Sequence, residues 1–173
     1  DAGPVIFLHE RGVWLRFCEV FDVVIPEIVA DDEALFHSRD ELTGAARAIN
    51  VRAEEAAGRV TAVAATASEF GALLSGFSDD FAMGLHEGEL EGLALLTERE
   101  SLDECVFCTG DGAAIQAAMM RGLSERCLPL EDLLGSSGLK QPVPNQLSRR
   151  FFETHQRMGL DNRMTGLGMR RRD

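Results

Sequence analysis

The chain reads as an α/β protein: a three-layer sandwich around a central, mostly parallel sheet of about five strands, with a C-terminal helical extension. Three observations point there. Short apolar, β-branched runs alternate with stretches of helical period, as parallel strands joined by right-handed crossovers require. The connections between strands are long enough to hold a helix each. The 173 residues, 45% hydrophobic and 27% charged, suit one ordinary globular core.

In chain order, Pro4 to Leu8 forms a short apolar run, and residues 10–21 have helical spacing. Val23, Val24 and Ile25 make a short buried strand, and Pro26 suits the first position of a helix continuing to Asp40. The alanine- and arginine-rich residues 43–57 predict a helix ended by Gly58, and 59–65 predict a strand. Two helices follow at 68–77 and 86–100, then a strand at 104–109. Residues 110–123 form a helix closed by Gly122, 126–130 a last short strand, and 131–134 a further helical turn. The stretch 135–146, with two glycines and two prolines, predicts an irregular connection to a helix over 147–159. Residues 163–173 lack an apolar period and are expected to fray. The natural division is 1–134 as one domain and 135–173 as an extension made of a helix and a basic tail.

The net charge of −12 is uneven: residues 149–173 hold seven arginines against three acids, leaving about −16 on the first 148 residues. Such a body repels polyanions unless cations bind, whereas the basic tail suits a phosphate backbone or simply offsets the acidic body. No apolar run is long enough for a membrane helix and no secretory leader is visible, so cytoplasm is the expected address. Cys105 and Cys108 form a lone CxxC pair in a predicted strand, where alternation points them to opposite faces. With Cys18 and Cys127 standing alone, four reduced core cysteines are expected rather than a zinc or redox site. His9, His37, His86 and His155 show no ligand-pair spacing, and His86 is expected only to flank its helix.

Acids fall where the core is expected. On a wheel of about 100° per residue, the apolar face of the helix from Pro26 centres near Asp32, with Asp31 well to the side. In HEGELEGLALL, Glu89 falls inside the stripe set by Leu85, Leu90, Leu93 and Leu96, and Glu91 falls outside it. Asp111 follows a strand and opens a helix, where open parallel sheets bind ligands. Taken singly, Glu89 is also accounted for by a dipole contact in a first helical turn, Asp111 by capping, and Asp32 as an ordinary surface acid.

Four segments together resemble the PIN-domain nucleases. The segment DAGPVIFLHERG is similar to that family's first strand end, acid and helix; VVIPEIVADDEA to its strand, proline and acid-bearing helix; GELEGLALL to a GExE variant of its third motif; and TGDGAAIQAA to its Thr-x-Asp motif. The resemblance covers residues 1–134. It implies catalytic acids Asp1, Asp32, Glu89 and Asp111, with Thr109 a hydroxyl partner and Glu91 an auxiliary. Asp1, Glu89 and Asp111 would ligate Mg or Mn, and Asp32 would act through water. The family's second acid is usually Glu, so the shorter arm of Asp32 is a departure, and residues completing a first strand are expected before Asp1. The implied reaction is metal-dependent hydrolysis of RNA phosphodiesters, with Arg149 and Arg150 gripping RNA. A toxin-like protein with an antitoxin or other protein partner is compatible with the size, as is a homodimer.

Two other readings stand beside this one. A non-catalytic PIN-like module would bind RNA or a protein through the same fold; one lysine, no tyrosine and one tryptophan leave few stacking platforms for single strands. The GDGAA loop also resembles the haloacid-dehalogenase-like phosphatases, but those need Asp-x-Asp where this chain has Asp1, Ala2 and Gly3.

Overall fold

The computed structural model describes residues 1–39 and 46–170. It is a helix-rich mixed α/β fold with a small parallel sheet near its centre. Helix α1 (Ala2–Glu10) is N-capped by Asp1, whose Oδ1 accepts from the Gly3 amide at 2.9 Å. Gly12, at φ 64°, turns the chain after α1, so the helix expected over 10–21 begins only at Trp14, as α2 (Trp14–Val20). Strand β1 (Val23–Pro26) follows as expected and pairs in parallel with β4 (Val60–Val63), Val23 opposite Val60 and Pro26 opposite Val63.

The segment after β1 departs from the sequence reading. Pro26 ends the strand, and helical structure stops at Glu33 rather than continuing to Asp40. Val29–Glu33 is a π-turn, closed by the Ala34 amide donating to the Val29 carbonyl five residues back at 2.8 Å. Beyond it, β2 (Phe36–Arg39) pairs antiparallel with β3 (Ala46–Ala48), so the helix expected over 43–57 is a strand followed by α3 (Val51–Ala56). Asp40 to Thr43 and the start of that predicted helix lie outside the described residues.

Helix α4 (Ala67–Leu74) starts on a capping box: the Thr66 hydroxyl accepts from the Glu69 amide and the Glu69 carboxylate from the Thr66 amide. A short α5 (Asp79–Ala82) leads to α6 (Glu87–Glu98). The predicted strands at 104–109 and 126–130 shrink to one parallel bridge, Phe107 opposite Cys127. Among the described residues the parallel pairing is therefore β1 with β4 plus this bridge, short of the five strands expected. Helices α7 (Gly112–Met120), α8 (Leu130–Ser136) and α9 (Arg149–Thr165) complete the chain, α9 lying along α7.

The tail does not fray over its described length. Met169 pairs with Phe77, the Arg170 amide donates to the Gly76 carbonyl, and the Arg170 side chain reaches Asp79 at 2.6 Å. Two apolar clusters form the core. One joins α1, α2, β1 and α8; the other joins α4, α6 and α7 with Phe107 and Phe152. All four cysteines are free, and Cys108 packs against the first cluster while Cys105 packs against the second, as alternation in an extended segment predicts. No helix among the described residues is long and apolar enough to cross a membrane.

Candidate functional site

Three of the four acids picked from the sequence meet in one cavity of about 360 Å³: Asp1, Glu89 and Asp111 all line it. Each arrives by a different local device. Asp1 is fixed by capping α1 and by two further donors to its Oδ2, the Thr109 hydroxyl at 2.8 Å and the Gly110 amide at 2.7 Å. Thr109, 2% exposed, also accepts from the Asp111 amide at 3.0 Å, so one hydroxyl joins the two aspartates. Asp111 caps α7 through the Ala114 amide at 2.8 Å.

Glu89 enters from the first turn of α6 and is 4% exposed. Among the described residues its buried Oε2 has no hydrogen-bond partner, and His86 Nδ1 at 3.7 Å is too distant to supply one. Burial foremost, and to a lesser degree the nearby charges of Glu33 and Asp111, hold the Glu89 pKa above the usual carboxylate range. An ionised oxygen left this way is costly unless a proton or a cation compensates it.

Asp32 is not part of the cavity; it is exposed. Its neighbour Glu33 takes the place, accepting from the Gly88 amide at 3.1 Å and lying close enough to Glu89 to raise its pKa. The cause is the π-turn. An i to i+5 turn advances each residue by less than the 100° of an α-helix, so the inward position falls one residue later than an α-helical wheel gives. Gly88 is part of the same contact: a Cβ there would overlap the Glu33 carboxylate and Val29. A second acid missed from sequence, Glu10 at the end of α1, also lines the cavity, though it is exposed. The signal available for Glu33 was Gly88 itself, a glycine inside an acidic helix start where another group must come close.

Glu91 has a different task. It is 3% exposed, and its two oxygens accept the Ile28 amide at 2.7 Å and the Ala65 amide at 3.0 Å, just past the ends of β1 and β4. The wheel that placed it outside the apolar stripe was right about the stripe, but the far side of α6 faces the strand ends rather than solvent. Arg149 is engaged by Asp132 at 2.8 Å, while Arg150 is exposed on α9. His9 stacks on Trp14 and His37, and His155 packs on Phe151 beside Gly112. The far wall of the cavity comes from Pro144, Gln146 and Leu147, so the C-terminal extension closes over the acids.

Among the described residues no three His, Cys, Asp or Glu side chains stand in an arrangement ready to hold an ion. Both Asp1 oxygens and one oxygen each of Asp111 and Glu33 accept protein donors. The chemistry of the set still fits Mg or Mn, because every candidate donor is a hard oxygen and Glu89 Oε2 has no other partner. No family model, curated protein or solved structure matches the chain.

Proposed function

We propose that the chain is a metal-dependent endoribonuclease of PIN-like type that hydrolyses RNA phosphodiester bonds at the cavity formed by Asp1, Glu89 and Asp111. The observation that carries this reading is the buried Glu89 oxygen, without a hydrogen-bond partner among the described residues, in a cavity wall shared with Asp1 and Asp111 and near Glu33. Glu89, Asp111 and Asp1 would hold Mg or Mn, with Glu33 in the role that the resemblance implied for Asp32. A divalent ion held there would neutralise the cluster and supply an acidified water as nucleophile. The chain's own contribution is positional. Thr109 keeps Asp1 and Asp111 in one frame, the Gly88 amide orients Glu33, and the α7 cap holds Asp111 at the helix start, where backbone amides favour an anion.

RNA as substrate is the reading supported by the exposed Arg150 and the basic terminal segment, together with an acidic rim that a cation would let meet a phosphate. A PIN-like binding module without catalysis is the second reading, favoured by the engagement of the Asp1 oxygens with protein donors. The deciding experiment is Mn²⁺-dependent cleavage of a single-stranded RNA by the wild type and by Asp111→Asn, with a small phosphoester as control. The expected result is cleavage of RNA only, reduced at least about a hundredfold in the variant. Retained cleavage in Asp111→Asn overturns the assignment; RNA binding without cleavage by the wild type selects the binding module.

A further inference from the structure

One side of the acidic cavity is a single stripe of α1. Gly3, Ile6, Phe7 and Glu10 line it, at the three- and four-residue steps that keep side chains on one helix face. None of the residues lining the cavity is basic, and Glu10 adds an exposed carboxylate to this wall. A metal ion held among Asp1, Glu89 and Asp111 would meet one phosphate, and the neighbouring phosphates of a bound chain have to pass the rest of the wall. Beside Glu10 they meet repulsion unless a cation stands close by.

Arg11 extends the same stripe, four residues after Phe7. Helical side chains lean towards the N-terminus, and the Arg11 guanidinium is laid back over the Phe7 ring, 5.4 Å from its centroid. A guanidinium resting on a ring keeps its in-plane N–H groups free, and these are the donors that match phosphate oxygens in pairs. The Arg11 side chain makes no hydrogen bond or ion pair with any described residue. In a chain with 29 acidic residues against 17 basic ones, a guanidinium readily finds a carboxylate. Arg52 meets three of them, Arg99 meets Glu69 and Arg121 meets Glu98. Glu10 does not neutralise Arg11, because adjacent helical positions do not face each other. The other exposed arginine of this region, Arg16, belongs to α2 and does not line the cavity.

We propose that Arg11 is a substrate-positioning residue, whose guanidinium, steadied on Phe7, holds a backbone phosphate of single-stranded RNA next to the phosphate bound at the acids. The inference rests on the RNA reading above and adds the direction of the chain across the site: the strand runs along α1, from the acids towards Arg11. Arg11 supplies the positive charge that offsets Glu10, and its fork of donors fixes where the neighbouring nucleotide sits. The effect is on binding and register, since the guanidinium does not touch the reacting atoms.

The test is fluorescence anisotropy of a labelled RNA of about twelve uridines, titrated with the full chain over a series of salt concentrations, with Ca²⁺ present and the RNA checked intact on a gel. Arg11→Gln is expected to weaken binding at least about tenfold and to lower the salt slope by about 0.7, the value of one lost phosphate contact on a single strand. Arg11→Lys should restore the slope and recover part of the affinity, because it keeps the charge and loses the fork. Arg16→Gln, an equal change in net charge, should leave affinity and slope as in the wild type, and all three variants should keep the wild-type Tm. Equal effects of Arg11→Gln and Arg16→Gln overturn the proposal, as does a loss of affinity with the slope unchanged or with a lowered Tm, which assigns Arg11 a structural role. Wild-type binding that survives Arg11→Gln overturns this inference alone; no RNA binding by the wild type overturns it together with the RNA reading.

Discussion

Glu89 and Glu91 sit two residues apart on α6, are buried to almost the same degree, and have opposite bonding. Glu91 has both oxygens occupied by backbone amides, one past each strand of the parallel sheet, so it is a brace between main-chain segments. Glu89 has one oxygen with no partner among the described residues and lies near other acids, so the fold spends stability to keep it there. Burial alone does not distinguish a structural carboxylate from a functional one; what its oxygens accept does. A brace stabilises, whereas a cluster of acids waits for something from outside the chain.

The sharpest way to break this contrast is Glu91→Ala. It strands two half-buried amides and empties a buried carboxylate site, for an expected loss of about 3 kcal/mol and a fall in Tm of roughly 6–12 °C by differential scanning calorimetry. A loss below about 1 kcal/mol would remove the brace.

Next in size is the metal response of the other acid's surroundings. Glu33→Gln is expected to weaken Mn²⁺ binding about 10–100-fold, read as a smaller Mn²⁺-induced rise in Tm. Asp32→Asn should leave that rise unchanged and alter stability by less than about 0.5 kcal/mol, as an exposed side chain does. The reverse order would restore the α-helical phasing of this segment.

Smaller still is the pH effect of Glu89. A carboxyl whose folded pKa is raised contributes stability that is complete below its unfolded pKa, near 4.5, and lost as pH rises through the folded value. Without metal, the wild type should therefore lose stability as pH climbs from below 4.5 towards neutrality, and Glu89→Gln should flatten that fall. At pH 7 the variant should melt higher than the wild type by a few degrees, at about 2–4 °C per kcal/mol. Titration of Tm against pH checks it; parallel curves for the two proteins would show that Glu89 is compensated within the chain.

Much of this was legible in the amino-acid order. The apolar period of α6 located Glu89, the Asp111 cap followed from its place before α7, and β1 and β4 were marked by their β-branched runs. The segment after Pro26 was not, because one extra residue in a turn leaves the composition of the stretch unchanged while moving every later side chain around the axis. Glu91 was misjudged for a related reason. A wheel reports which face is apolar, and it cannot say that strand ends with free amides lie against the other face.

Local sequence thus marked α6, α7 and the Asp111 cap, and the acidic character of one edge, since these depend on residues within a few positions of one another. The tertiary structure alone decided that Glu33 rather than Asp32 joins Glu89, and that Thr109 ties Asp1 to Asp111. It also decided that the C-terminal extension walls the cavity. Those contacts join segments far apart in the chain, and their geometry is set by the packing of whole elements, which no window of neighbouring residues encodes.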